Sequence, residues 1–234
     1  MAAPQTLDDM RTRVRELANM ETQAASGFVT DDELRRRLNE ALKGLYDMLI
    51  DAWGQEYYVR DTTITLVSGQ NDYNLPADFY KGASVTASNN GYHYQLRTWE
   101  MQELASMQTL SAHTSGAIYQ LRYRFKGRDI SIYPTPTQAF SVKVWYIPAM
   151  TELVLGTDTF DGVNGWEQWA VLTAAIDVLN KEESDTSALM VERSMVEARI
   201  RKLAGSQDAG RAARITDVRG DWIAWPLWSN NWNA

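Results

Sequence analysis

The chain has 234 residues, of which 44% are hydrophobic and 23% charged, which suits one or two globular domains with a sizeable core. A formal charge of −7 and a pI near 4.9 argue against a dedicated nucleic-acid binder, whose domains usually run basic. The absence of cysteine excludes disulfides and thiolate metal sites.

The opening MAAPQTLDDMRTRV turns polar and charged at once and lacks the apolar core of a signal peptide, so a soluble product made in the cytoplasm is expected. Leu7, Met10, Val14 and Leu17 recur at helical spacing, with Thr6 placed to cap them, and Ser26-Gly27-Phe28 ends that helix. A second helix opens on Thr30-Asp31-Asp32-Glu33, a capping box, and carries the stripe Leu34, Leu38, Leu42, Leu45 and Leu49 to Trp53-Gly54.

From Tyr57 the period changes to two. Ile64 and Leu66 alternate with Thr63, Thr65 and Val67, a break follows at Ser68-Gly69-Gln70-Asn71, and Tyr73 and Leu75 resume, which reads as a strand, a tight turn and a returning strand. Further strands are expected at 83–87, 92–96, 118–125, 129–133 and 140–147, with a short helix from Trp99 to Met107 between them. This middle block predicts an antiparallel β assembly, a sandwich or barrel.

Helices return near Val163. WEQWAVLTAAIDVLN is apolar around most of its circumference, which predicts burial nearly all round. The last helix, from Thr186 to Leu203, has one stripe at Leu189, Val196, Ile200 and Leu203 and a second at Ala188, Val191, Met195 and Ala198. Two strips exceed what one partner in a bundle covers, so either this helix lies centrally in its own bundle or the second strip meets a neighbouring copy. The sequence therefore predicts an α+β fold: a four-helix bundle (1–56 and 160–205), an antiparallel β domain (57–159) inserted between helices 2 and 3, and an extended C-terminal arm (206–234).

Chemistry-bearing clusters are sparse. His93 and His113 have no spaced partner for a metal or a nucleophile, and GTDTFDGVNG lacks the ending of a phosphate loop. Asp158 with Asp161, and Glu100 with Glu103, are the carboxylate pairs a glycosidase would need, but the first pair sits where it would cap the helix near Val163. No catalytic, cofactor or metal residue is assigned. In LRYRFKGRDI, Arg122, Arg124 and Lys126 share one face of a strand and Arg128 follows; this basic ladder either touches passing DNA backbone or is a solvated face over buried Tyr123 and Phe125.

The C-terminus is the strongest anomaly. Four of the nine tryptophans stand at Trp222, Trp225, Trp228 and Trp232, with Ile223 and Leu227 among them, and no charge follows Asp221. Pro226 forbids a regular helix through the segment, which is also too short to span a bilayer. Burial of one indole is worth roughly 4–6 kcal/mol gross, much of it offset by ordering an extended arm. These residues read as anchors that dock on another surface. RGD at 219–221 is a chance match.

TTITLVSGQNDYNLPADF, ISIYPTPT, VWYIPAMTEL and RITDVRGD, in that order, resemble head-to-tail adaptor proteins of short-tailed bacteriophages. The resemblance implies a virion protein at the neck: a ring of twelve copies beneath the portal, a C-terminal arm reaching the portal protein, a lower face receiving the tail nozzle or tail tube, and double-stranded DNA passing through. It implies no enzyme activity, no cofactor and no membrane. In the ring, Ala188, Val191, Met195 and Ala198 would meet the adjacent subunit. A virion-associated peptidoglycan hydrolase and an aromatic carbohydrate-binding module are the alternatives.

Overall fold

A computed structural model describes residues 5–20, 28–53, 58–89, 92–106, 120–163 and 165–204. The fold is α+β. Helices α1 (Leu7–Leu17) and α2 (Asp31–Trp53) precede the strands, of which eight lie among the described residues, and α3 (Glu167–Lys181) and α4 (Ser187–Ala204) follow them.

α1 starts on a reciprocal cap. The Asp9 N–H donates to Thr6 Oγ1 at 3.1 Å and the Thr6 N–H donates to Asp9 Oδ2 at 3.1 Å. At α2 only half of the expected box forms. The Glu33 N–H donates to Thr30 Oγ1 at 3.2 Å, but the Glu33 carboxylate turns instead to Lys181 Nζ and Arg37 Nη2, each at 2.8 Å. Charge-assisted bonds to two cations outweigh one to a backbone amide. Together these cations hold the Glu33 carboxyl below the ordinary glutamate range and tie the start of α2 to the end of α3.

The leucine stripe of α2 is fully inside: Leu34, Leu38, Leu42, Leu45 and Leu49 are all buried. α3 is enclosed as its sequence predicts, since between Ala170 and Leu179 only Thr173 and Asp177 escape full burial. The packed pairs are α1–α2, α1–α3, α2–α3, α2–α4 and α3–α4. α2 and α3 thus form the middle of the helical layer, and α1 and α4 lie on its opposite flanks.

α3 begins at Glu167 rather than near Val163, and neither Asp158 nor Asp161 caps it. The chain kinks first, with Val163 at φ 52° and Gly165 at φ 79°, and Asp161 Oδ1 accepts the Val163 N–H at 3.3 Å. That short-range bond takes up the acid the sequence had offered as a cap.

The strands are β1 (Arg60–Thr65), β2 (Asp72–Asn74), β3 (Phe79–Asn89), β4 (Tyr92–Gln95), β5 (Arg97–Thr98), β6 (Arg122–Lys126), β7 (Asp129–Tyr133) and β8 (Ser141–Pro148). They form two four-stranded sheets, ordered β1-β8-β3-β4 and β2-β7-β6-β5; the first is antiparallel, and β5 runs parallel to β6 in the second. Val85, Ala87, Val142 and Val144 of one sheet and Tyr73, Tyr123, Ile130 and Ile132 of the other share one apolar cluster, so the block is a sandwich.

The strand–turn–strand expected across Ser68–Asn71 is not a hairpin. β1 pairs with β8 and β2 with β7, so this turn carries the chain from one sheet to the other. Tyr73 holds it closed: its hydroxyl accepts the Val67 N–H at 2.9 Å and donates to the Gln70 carbonyl at 2.8 Å. The short helix expected from Trp99 begins two residues later. The Trp99 N–H is bound to the Tyr123 carbonyl at 3.1 Å, a 3-10 turn spans Met101–Glu103, and helix is described from 104 to 106. Met107 lies outside the described residues.

Helices and sheets meet along the segment after β8. Asn39, buried on α2, donates from Nδ2 to the Leu153 carbonyl at 2.9 Å and accepts the Leu153 N–H on Oδ1 at 2.8 Å. Tyr46 donates its hydroxyl to the Pro148 carbonyl at 2.7 Å, and burial pushes its pKa up to about 12. Leu153 and Phe160 then enter the helical core, where they join Ile147 from β8.

Candidate functional site

α4 is held by little of its own surface. Ile200 and Ala204 are buried and Leu189 and Val196 are partly buried against the helical core, while Leu203 is exposed. The second strip is bare: Val191 is 55% and Met195 67% exposed, with Ala188 and Ala198 exposed beside them. A central position for α4 is thereby overturned. It is a flanking helix, packed on α2 and α3 along one side only. Exposed Arg199 and Lys202 extend the same face toward the C-terminus, and neither has an ion-pair partner among the described residues.

A second apolar point went unnoticed in the sequence. Val154 and Leu155, 59% and 64% exposed, stand side by side at the tip of the loop between β8 and α3. The tip is built. Asp158 Oδ2 accepts the N–H groups of Val154 and Leu155, each at 2.8 Å, and these bonds hold its carboxyl below the ordinary aspartate range. The Asp158 carbonyl accepts the Leu7 N–H at 2.9 Å and the Gly156 carbonyl the Asp8 N–H at 3.0 Å, so the loop is fastened to the start of α1. A Cβ on Gly156 would lie 2.0 Å from the Asp8 carboxylate, so a larger residue there would push the Asp8 side chain aside. The clue in the sequence was the aliphatic run Leu153-Val154-Leu155 closed by Gly156-Thr157-Asp158.

The basic ladder of β6 has Tyr123 buried on its inner side, while Arg122, Arg124 and Phe125 are half-buried and only Lys126 is exposed. Its cations are engaged. Arg122 Nη1 donates to Glu103 Oε1 at 2.9 Å, and Arg124 and Lys126 lie 5.5 and 5.1 Å from the centroid of the buried Trp99 ring. Arg128, in the β6–β7 turn, is exposed.

The candidate carboxylates are occupied by backbone and salt-bridge contacts. Glu103 accepts the Glu100 N–H at 3.0 Å and pairs with Arg122, and both contacts lower its pKa, the opposite of what a general acid requires. An open cleft of about 730 Å³ lies where helices and sheets meet, lined by Tyr46, Tyr58, Met150, Asp158, Phe160 and Asp161. His93 is exposed on β4, and His113 lies outside the described residues. No group of three or more His, Asp or Glu among the described residues is placed to hold a metal ion. Glu167 is buried, with Oε1 accepting the Gly162 N–H at 3.3 Å and Oε2 without a hydrogen-bond partner, and burial raises its pKa. Trp222, Ile223, Trp225, Leu227, Trp228 and Trp232 lie outside the described residues.

Among the described residues these features define an α+β fold with an exposed apolar face on its last helix. A family model described as SU10 adaptor protein matches residues 5–219, and the chain belongs to that family. The membership agrees with the resemblance to phage head-to-tail adaptors and points to a structural role among virion components. No curated protein matches the chain. No helix among the described residues is long and apolar enough to cross a membrane.

Proposed function

We propose that this protein is a head-to-tail connector, copies of which close into a ring beneath the portal, extend the DNA channel and offer the tail its attachment site. Membership of the adaptor family over residues 5–219 carries the reading. The bare strip of Ala188, Val191, Met195 and Ala198 supports it, because an apolar helix face left uncovered within a chain marks an interaction site. In this reading residues 1–56 and 160–205 form the helical unit, 57–159 the β unit and 206–234 the arm. Trp222, Ile223, Trp225, Leu227, Trp228 and Trp232 anchor the arm to the portal protein, twelve copies surround the channel at the virion neck, and the tail nozzle docks below. Lys126 and Arg128, exposed at the β6–β7 turn, are the members of the ladder best placed to meet passing DNA backbone.

Deletion of residues 221–234 tests the reading. Circular dichroism should show unchanged helix content, and co-sedimentation with the portal protein should be lost. Undiminished binding by the shortened chain would remove the arm from the mechanism.

A further inference from the structure

The connector reading leaves open what the α4 face touches on the next subunit. Symmetry restricts the answer. A patch that pairs with its own copy gives a closed two-fold dimer, whereas a ring requires two different, complementary patches on each subunit. The described surface offers a second patch of the right kind, the Val154–Leu155 tip. We infer that the Val154–Leu155 tip of one copy seats on the Ala188–Val191–Met195–Ala198 face of α4 in the adjacent copy.

Three observations carry this pairing, which rests on the connector reading. The tip is fastened to α1, and α1 and α4 lie on opposite flanks of the α2–α3 pair, so each subunit presents the tip on one side and the receiving face on the other. That is the layout a head-to-tail repeat needs. The tip is also rigid before any contact forms, because Asp158 binds both of its amides and Gly156 abuts Asp8, so little ordering cost attends docking. The receiving face has two small residues, Ala188 and Ala198, flanking Val191 and Met195; Met195 is an unbranched side chain that adapts to an irregular partner.

Charge points the same way. Asp8, Glu152 and Asp158 lie beside the tip, with Lys43 and Arg11 paired to Glu152 and Asp8. Toward the C-terminus Arg199 and Lys202 continue the receiving face without ion-pair partners among the described residues, while exposed Glu192, bonded to Gln168, lies at its other end. The acidic rim of the tip meeting the basic C-terminal end of that face fixes orientation.

The natural chain has no cysteine, so single replacements are clean probes. Full-length Val154→Cys and Met195→Cys are prepared separately, mixed with the portal protein under mild oxidation, and read by non-reducing electrophoresis, with rings counted by electron microscopy in the same samples. A disulfide-linked pair is expected in the mixture and not in either variant alone. Full-length Val154→Asp/Leu155→Asp, with unchanged circular dichroism, is expected to lose ring formation. Met195→Cys dimers formed without Val154→Cys, or rings that form with no mixed product, overturn the pairing while leaving the connector reading intact. Absence of rings from the unsubstituted chain overturns both.

Discussion

α3 and α4 are consecutive in the chain, similar in length and packed on the same partner, α2, yet they meet solvent in opposite ways. α3 is enclosed from Ala170 to Leu179 apart from Thr173 and Asp177, whereas α4 buries only Ile200 and Ala204 completely. Their sequences differ in kind. α3 carries almost no charge between Trp169 and Asn180 except Asp177, while α4 mixes Glu192, Arg193, Glu197, Arg199, Arg201 and Lys202 with its apolar residues. A helix placed between α1, α2 and α4 must be apolar all round; a flanking helix needs only one stripe. α4 has a second stripe that packing among the described residues does not use. The contrast separates residues that hold the fold from residues that serve assembly.

Substitutions sharpen that separation. The largest effect on stability is expected for Leu172→Ala on α3, fully buried, at about 3 kcal/mol, read as a lowered denaturation midpoint. Asn39→Ala comes next, at roughly 2 kcal/mol, because it strands the buried N–H and carbonyl of Leu153 without partners. Glu167→Gln should change the pH dependence instead. Its carboxyl is raised above the ordinary value of 4.5 by burial, so the stability it contributes is fully present below that value and is lost as pH rises through the raised one. The amide keeps an acceptor for the Gly162 N–H and cannot ionise, so the variant should flatten the pH profile of the melting temperature. Smallest of all, Val191→Ser and Met195→Ser should shift stability by less than about 0.5 kcal/mol while weakening assembly on the portal. A large loss of stability in these last variants would erase the distinction between the two helices.

Much of the fold was legible because local periodicity and capping survive in the tertiary structure. Thr6 at the start of α1, the α2 leucines and the enclosed α3 all sit where the sequence pattern puts them. Expectations went astray where a distant residue made the decision. The alternation of Ile64 and Leu66 is the same whether β1 folds back on β2 or crosses to β8, and nothing local names the partner. Glu33 was placed to cap its own helix until Lys181, brought in by the end of α3, drew its carboxylate away. Periodicity likewise reported that α4 has two apolar strips but not which of them the chain would cover. The Val154–Leu155 tip was missed because two adjacent aliphatic residues look like core until Asp158 is seen pinning their amides outward.

The most direct test of the account is electron microscopy of the full-length chain mixed with the portal protein, alongside Val191→Glu/Met195→Glu at equal concentration. Closed rings seated on the portal, with density between adjacent subunits over α4, are predicted for the natural sequence, and no rings for the doubly substituted chain. Rings that form equally well with both glutamates in place would contradict the assignment of α4 as the assembly face.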